Sequence, residues 1–323
     1  MELISLYYFS ELSKTLHVTR TAERLFISQQ TLSNHIARLE SYYGTPLLNR
    51  KPCLSLTPAG EQVLAFANAI LREEDNLKAY LFDIEQQERG LLRFGASTLR
   101  MNSTLPHILP DFTARYPKVE LRLTDTISSQ LVEQVLEGQL DLAVAVSGGA
   151  NPRLTEECLM DDRVYLCVAD SLLRAYYGDA AEDIKRRSLQ GASVRDFAKL
   201  PFCLLDNRIG ERINECFAEA RVAPHPFIRS TYTQISSMIC FRRLAAAFIP
   251  HVCLADQRQE IPADINIFPL LLNGQPLIQQ VDLIQRKGRY CPRYFTYFRE
   301  LLQSHFQNLE QLQLERIAKP EPA

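Results

Sequence analysis

The first 60 residues alternate apolar and polar positions in a way that predicts three helices followed by a short hairpin. Apolar side chains from Leu3 onward begin a first amphipathic helix, and a second short helix follows it. Ser28 is a good N-cap for the third helix, because its hydroxyl can accept the free amide of Thr31. Gly44 is predicted to end that helix in a left-handed conformation.

The third helix has one apolar face and one polar face. Its apolar residues recur at steps of four and three, which predicts a buried stripe at Leu32, Ile36, Leu39 and Tyr43. The opposite face carries amide and hydroxyl side chains, and an amide can pair bidentately with adenine in the major groove of DNA. The members of this polar face are Gln29, Gln30, Ser33, Asn34 and Arg38.

Two short β-type runs follow at 47–50 and 54–56, with Lys51-Pro52-Cys53 as the tip between them. This hairpin has the shape of a wing, and Arg50 and Lys51 are placed to meet phosphates. A small helical bundle with a polar face is the alternative. The helix caps, the hairpin and its basic tip together favour a winged helix-turn-helix that binds DNA.

A longer helix opens at Thr57 and Pro58, which suit the cap and the first helical position. Its apolar residues fall at alternating steps of four and three, with Glu74 as the one polar member, and this predicts a coiled-coil seam. A lone helix of this length is marginal in water, which favours a partner helix. The alternative is a helix packed on its own domain. The predicted seam residues are Val63, Ala67, Ile70, Leu77, Leu81 and Ile84.

From residue 90 the pattern changes to alternating strands and helices, which predicts a parallel sheet with helices on both faces. The chain then enters a second α/β unit near Arg163 and returns through two later strands to a final helix. The predicted strands and helices of the first unit are 91–96, 103–116, 119–123, 128–137 and 140–146. The return strands are predicted near 265–271 and 279–285, and the final helix at 291–306.

The predicted organisation therefore has four parts. They are a winged helix-turn-helix at 1–58, a linker and dimerisation helix at 59–89, a two-lobed α/β domain at 90–305 and a flexible tail at 306–323, which is rich in Gln, Glu and Pro. Lobe I would comprise about 90–162 and 265–305, and lobe II about 163–264.

Composition and charge fit this plan. The 323 residues carry a net charge of −2, but the first 60 contain six Lys or Arg against four acidic residues, so a DNA contact would be confined to one end. No apolar run reaches the ~18 residues that span a membrane. No signal peptide is evident, so we expect a cytoplasmic protein with no membrane partner.

Motifs of catalysis and metal binding are missing from the sequence. The eight cysteines form no C-x-x-C pair and show no zinc spacing with histidine, so buried, reduced thiols are expected. There is no G-x-G-x-x-G, P-loop, H-E-x-x-H or G-x-S-x-G motif, which weighs against the main alternative, an enzyme. We therefore expect no metal and no cofactor. A free-standing solute-binding protein would fit the two lobes but not the first 60 residues.

The run Thr21 to Gln29, TAERLFISQ, resembles the AAERLxxSQ core of the LysR family of transcriptional regulators. The similarity is specific through residue 60 and continues more weakly to about residue 303. Three positions in this region depart from the family pattern: Gln30 stands where proline is usual, Asn34 where arginine is common, and Val18 where an aromatic residue is usual. Because Asn34 removes a charge from the polar face, the preferred DNA sequence is expected to differ from that of typical members.

The resemblance implies how the protein would contact DNA. Linker helices would pair antiparallel in a homodimer or homotetramer, which would bind two half-sites of a pseudo-palindromic promoter site. RNA polymerase is a further partner that the family suggests. The implied base contacts are Gln29, Gln30, Ser33 and Asn34, and the implied backbone contacts are Thr19, Arg20, Thr31, Arg38, Arg50 and Lys51.

The resemblance also implies a periplasmic-binding-protein-like (Rossmann-like) domain that binds a small-molecule effector between its lobes. Ligands of open α/β sheets bind beyond the carboxyl ends of strands, where hydroxyls and free amides suit a small organic anion. The alternative is that serine and threonine at these places act only as helix caps. The candidate residues are Ser97, Thr98, Ser128 and Ser129 in lobe I, and Asp206, Thr231 and Phe248 in lobe II.

Overall fold

The computed structural model describes residues 2–51, 53–84, 89–146 and 148–318. Its N-terminal domain consists of short helices followed by a hairpin, as the pattern predicts. The elements are α1 (Leu3–Thr15), α2 (Val18–Arg24), α3 (Gln29–Tyr43), β1 (Leu48–Asn49) and β2 (Ser55–Leu56). Strands β1 and β2 pair antiparallel, so the predicted wing is confirmed. Pro52, at the wing tip, lies outside the described residues.

The predicted apolar stripe of α3 forms the centre of this domain. Leu32, Ile36 and Leu39 are buried against Phe9 of α1 and other apolar side chains. Each buried side chain of this size contributes about 1.5–3 kcal/mol to the free energy of unfolding, which fixes the orientation of α3. Because one face of α3 is buried here, its opposite face is left toward solvent.

The long helix α4 (Pro58–Ile84) packs its first half against α1 of the same chain. Val63 and Ala67 are buried in the core of the N-terminal domain, and Ile70 packs against the same cluster. The prediction of Val63 and Ala67 as seam residues is therefore wrong, because the N-terminal domain of the same chain already buries them. Ile70 is only half-buried, so its place in the seam stays a prediction. A sequence period shows that a helix buries a stripe, but it does not show which neighbour buries it.

The second half of α4 contacts lobe I through ion pairs such as Asp75 with Arg93, but two of its apolar side chains are exposed. Leu77 is 56% exposed and Leu81 is 48% exposed. These two positions therefore stay predicted contacts with a second chain. Ile84 ends the helix, and its side chain lies outside the described part of the structure.

The body alternates strands and helices, and its elements fall into two lobes. Lobe I begins with β3 (Arg89–Ala96), α5 (Thr98–Arg115), β4 (Lys118–Asp125), α6 (Ser128–Glu137), β5 (Leu142–Val146) and β6 (Leu154–Ala169). Lobe II follows with α7 (Asp170–Tyr177), α8 (Ala180–Ser188), a 3-10 turn (Val194–Phe197), β7 (Pro201–Leu205), α9 (Arg208–Ala220), β8 (His225–Ser230), α10 (Ile235–Phe241), β9 (Ala246–Pro250), α11 (His251–Asp256) and β10 (Ile265–Pro269). The chain returns through β11 (Leu271–Leu272), β12 (Gln275–Pro276), β13 (Ile278–Arg286) and α12 (Arg293–Glu310).

One sheet runs through both lobes. Among the described residues its spatial order is β4-β3-β5-β13-β6-β9-β7-β8, and β10 also pairs with β6. The predicted parallel pairing is confirmed within each lobe, between β3 and its neighbours β4 and β5 and between β7 and its neighbours β8 and β9. The strands that connect the lobes, β6 and β13, run antiparallel to each other.

Strand β6 belongs to both lobes. Its first part pairs with β13, and its last part pairs with β9 and β10. The predicted return to lobe I at residue 265 is therefore wrong, because Ile265 pairs with Ala169 at the lobe II end of β6. The chain re-enters lobe I at Ile278, which pairs with Arg163.

The segment predicted as a flexible tail is ordered as far as residue 318. Helix α12 continues to Glu310, and Leu314 and Ala318 are buried. Arg316 exchanges backbone hydrogen bonds with Ile267 of β10. Apolar residues spaced among the polar ones hold this segment on lobe II, although its overall composition suggested disorder. Residues 319–323 lie outside the described residues.

Nowhere in the described ranges is a helix both long and apolar enough to cross a membrane.

Candidate nucleic-acid interface and effector cleft

Helix α3 presents the predicted polar face to solvent. Gln29, Gln30, Ser33 and Asn34 are all exposed. Ser28 caps the helix as predicted, since its Oγ accepts the Thr31 amide at 3.0 Å. At the other end Gly44 adopts a φ of +67°, a left-handed conformation that favours glycine. The local sequence therefore sets both ends of the helix that carries the candidate base contacts.

The predicted backbone contacts surround this face. Arg20, Thr31 and Lys51 are exposed, and Thr19 is half-buried. Arg38 and Arg50 are exposed as well, and each lies near a carboxylate. The guanidinium of Arg38 is 3.7 Å from the carboxylate of Glu2, and that of Arg50 is 3.1 Å from the carboxylate of Glu40. Exposed ion pairs of this kind are weak, so both arginines can exchange these partners for phosphate. 

Glu40 has a structural role that the sequence did not reveal. Its Oε1 accepts the amides of Leu47 and Leu48 at 2.9 and 3.3 Å, and its Oε2 accepts Arg50 at 3.1 Å. A single carboxylate of α3 thus fixes the first strand of the wing. This contact sets the position of the wing relative to the polar face of α3.

Three strands of lobe I end at the predicted cleft. Ser97 precedes α5, and its Oγ accepts Arg100 Nη1 at 3.2 Å. Thr98 donates its hydroxyl to Asp125, which ends β4. Ser128 Oγ accepts the amide of Val146, which ends β5, at 3.1 Å. Ser97, Thr98 and Ser128 therefore meet at one edge of the sheet, as expected, and Ser129 is exposed beside Ser128.

Lobe II faces this edge with the end of β7. Asn207 caps α9 by accepting the amides of Ile209 and Gly210 at 3.1 Å, and its Nδ2 donates to the carbonyl of Thr231 at 3.2 Å. Asp206 is exposed and lies 3.4 Å from Arg229. Sequence reasoning identified Asp206 and Thr231 but missed Asn207, which joins them.

Arg208 connects the two lobes. It stands at the first position of α9, and its Nη1 donates to the carbonyl of Val146 at 3.4 Å. This hydrogen bond crosses from lobe II to the end of β5 in lobe I. The strand ends of both lobes therefore face each other across one region, which we call the cleft.

Phe248 does not belong to the cleft. It is fully buried in lobe II, where its ring lies 5.5 Å from that of Phe202 and 5.8 Å from that of Phe217. Its prediction as an effector contact is wrong because β9 is an interior strand. Alternate side chains of such a strand enter the cores on its two faces, and neither face meets solvent.

Two buried charged residues at the cleft were also missed. Arg100, in the first turn of α5, is 5% exposed, and the Asp162 side chain on β6 is fully buried. Burial lowers the pKa of Arg100, and the charge of Arg208 lowers it further. Burial raises the pKa of Asp162. The sequence signal for Arg100 was a charge among the apolar residues Leu99, Met101 and Leu105.

Within the described residues, none of the cysteines with a shifted pKa has an activated thiol. Cys167, Cys203, Cys216, Cys240 and Cys253 are buried, as expected, and burial raises the pKa of each, to about 11 for Cys216. Cys53 and Cys158 are exposed instead. Raised thiol pKa values disfavour the reactive thiolate form.

Comparisons with known proteins give the same organisation. Residues 3–61 match the family described as "Bacterial regulatory helix-turn-helix protein, lysR family". Residues 85–307 match the "LysR substrate binding domain". The "HTH-type transcriptional regulator IlvY" of Escherichia coli (strain K12) is 26% identical over 308 residues, which cover 94% of this chain and 100% of the relative.

Solved structures share the fold along nearly the whole chain. Full-length OxyR from Pseudomonas aeruginosa has a TM-score of 0.67 at 20% identity and covers 99% of this chain and 100% of its own. CbnR complexed with its target DNA has a TM-score of 0.59 at 20% identity and covers 94% of this chain and 100% of its own. Both family matches concern regulators and not enzymes, which excludes the enzyme alternative. The chain therefore belongs to the LysR family of transcriptional regulators.

Proposed function

We propose that this regulator binds a pseudo-palindromic promoter site as a homodimer or homotetramer and reads it through Gln29, Gln30, Ser33 and Asn34. The observation that supports this most directly is the exposed polar face of α3, held between the Ser28 cap and Gly44. Side-chain amides discriminate between base pairs in the major groove, whereas the exposed cations around them meet phosphates of any sequence.

A gel-shift comparison tests these roles. Gln29→Ala is expected to weaken binding to the promoter site by about 1–3 kcal/mol while leaving binding to random duplex nearly unchanged. Lys51→Ala is expected to weaken binding to both duplexes alike and to reduce the salt dependence. Lys118→Ala, which removes an exposed lysine on β4, is the matched control. Equal losses on both duplexes for Gln29→Ala would contradict its role in base recognition.

The proposal includes a small-molecule effector in the cleft. Ser97, Thr98, Ser128 and Ser129 would contact it from lobe I, and Asp206 and Thr231 from lobe II. Arg208 supports this location because it brings the strand ends of the lobes together. An effector that binds one lobe arrangement better shifts the protein toward that arrangement and so changes DNA bending. Such a regulator acts in the cytoplasm, where it meets DNA and RNA polymerase.

Footprinting on the region upstream of its own gene tests the proposal as a whole. We expect a protected dyad at moderate salt, and a thermal-shift screen of small metabolites is expected to find ligands. The absence of any protected dyad would count heavily against promoter binding.

A further inference from the structure

We propose that Arg100 binds a carboxylate group of the effector, and that Asp162 accepts a hydrogen bond from a hydroxyl or ammonium on the carbon beside it. The effector class is therefore a small 2-hydroxy or 2-amino carboxylic acid. This inference rests on the proposed function, since it names the chemistry of the same cleft.

The guanidinium of Arg100 has one edge in use and one edge without partners. Nη1 donates to Ser97 Oγ at 3.2 Å. Nε and Nη2 are buried and have no hydrogen-bond partner among the described residues. These two nitrogens share one edge of the planar group, and their N–H bonds point in the same direction. Two parallel donors match the two oxygens of a carboxylate.

The carboxylate of Asp162 likewise has one oxygen with a partner and one without. Its Oδ1 accepts the amide of Val252 at 3.1 Å, whereas its buried Oδ2 lacks a hydrogen-bond partner within the described part of the chain. Oδ2 lies 3.7 Å from Arg100 Nη2, which is longer than a hydrogen bond. Buried polar atoms normally have partners, so an unpaired donor edge beside an unpaired acceptor indicates a ligand that supplies both.

The balance of charge at this point favours an anion. Arg100 and Arg208 both bring positive charge, and they lie close enough for Arg208 to lower the pKa of Arg100. A carboxylate on the open edge of Arg100 would pair with this positive charge in a region largely removed from water, where pairing is strong.

The position of Asp162 restricts the chemical class of the effector further. A simple carboxylate would satisfy Arg100 but would leave Oδ2 unpaired and close to a second negative charge. A hydroxyl or ammonium on the neighbouring carbon removes this conflict, because it donates to Oδ2. The pair therefore selects a carboxylate with an adjacent donor over one without it.

The test uses the full-length protein and a matched four-carbon series. Calorimetric titration is carried out with 2-hydroxybutyrate, 2-aminobutyrate, butyrate and butyramide at millimolar concentrations. We expect at least one of the first two to bind more tightly than butyrate, and we expect no binding of butyramide. The order of the hydroxy and amino acids identifies which donor the site takes. Failure of all four to bind, or equal binding of butyrate and butyramide, would overturn the inference.

Two variants separate recognition from folding. Arg100→Lys keeps the charge but loses the parallel donors, so binding should weaken about tenfold, whereas the control Arg115→Lys on the same helix should leave binding unchanged. Asp162→Asn should weaken 2-aminobutyrate and strengthen butyrate. If Asp162 were only a structural partner of Arg100, Asp162→Asn would weaken every ligand alike. Unchanged binding by Arg100→Lys would also overturn the assignment.

A gel shift on the same protein samples distinguishes the two proposals. If carboxylates fail to bind while the promoter site is still bound, the effector class is wrong and the regulatory function stands. If the protein binds no promoter DNA at all, the proposed function itself fails.

Discussion

At the scale of single residues, the buried charges of lobe II show how an ion pair can fix two helices. Lys185 of α8 is 1% exposed, and its Nζ lies 2.6 Å from Asp170 of α7 and 2.7 Å from Glu182. Arg174 also contacts Asp170, at 2.7 Å. A buried charge is stable only while it keeps its partners, so each member of this cluster depends on the others.

We expect Lys185→Met to lower the free energy of unfolding by about 3 kcal/mol, because it leaves the buried carboxylate of Asp170 without one of its two cations. Arg186→Met is the control, since Arg186 is exposed on the same helix and its removal should cost less than about 0.5 kcal/mol. Urea unfolding of the full chain measures both variants. Equal losses of unfolding free energy in the two variants would show that the buried contact of Lys185 does not stabilise the protein more than an exposed one.

Asp170 also gives a defined pH dependence. Burial alone would raise the pKa of Asp170, but hydrogen bonds from Lys185 and Arg174 outweigh this and lower it. A carboxyl group whose pKa is lower in the folded state stabilises the protein above its unfolded pKa of about 3.9, and the contribution is lost as pH falls through the folded pKa. We expect Asp170→Asn to lower the Tm at pH 7 and to matter progressively less below about pH 4. A Tm difference that stays constant down to pH 3 would contradict the assignment.

At the scale of elements, local capping signals predicted some helices but not all of them. Helix α6 spans residues 128–137 as predicted, because Gly138 adopts the left-handed conformation that ends it. Helices α7 and α8 were not predicted, although Gly178 ends α7 with a φ of +55°. Helix α8 has no side-chain hydrogen bond at its N-cap. Strand β6 was recognised only from Arg163 onward because acidic residues such as Asp162 interrupt its apolar pattern.

The errors at candidate sites have a common physical cause. Phe248 and Val63 were assigned to sites because of their position along a strand or helix, yet both are buried by elements distant in the sequence. Arg100 was missed for the converse reason, since its unpaired donors appear only when Ser97 and Asp162 are placed around it. Period and propensity identify an element, whereas tertiary contacts decide what each face meets.

The two halves of α4 therefore lead to different expectations. Leu77→Glu combined with Leu81→Glu should weaken self-association about tenfold or more while leaving the Tm of the N-terminal domain unchanged, because both side chains are exposed. Val63→Ala should instead lower that Tm, since it removes buried methyl groups, and should leave self-association intact. Sedimentation and thermal melting of both variants check this. Unaltered sedimentation of the double variant would exclude the second half of α4 from the subunit contact.

At the scale of the whole molecule, the C-terminal segment ties the lobes together. His251 at the start of α11 contacts the carbonyl of Leu309 at 2.7 Å and the hydroxyl of Tyr165 at 3.1 Å. Glu315 contacts the same hydroxyl at 3.2 Å, and Arg316 pairs with Ile267. The residues after α12 thus join β6 and β10, which lie in different parts of the chain.

Deletion of residues 313–323 should lower the free energy of unfolding by about 2 kcal/mol, because it uncovers apolar surface and removes the hydrogen bonds to β10. Thermal melting measures the change, and a chain shortened by residues 319–323 alone is the control. Identical melting of the longer deletion and the full chain would show that the segment adds nothing to stability.

Lobe II enters and leaves lobe I through adjacent strands, at Arg163 and Ile278. The effector domain is consequently nested: lobe II is inserted into lobe I through two side-by-side connections, and among the described residues only the segment after α12 crosses back onto lobe II. Lobe II could therefore be replaced at this junction. A foreign domain whose two ends lie equally close could be inserted there without breaking the sheet of lobe I. The DNA-reading end of the protein could then be placed under a different chemical signal while its own sequence stays untouched.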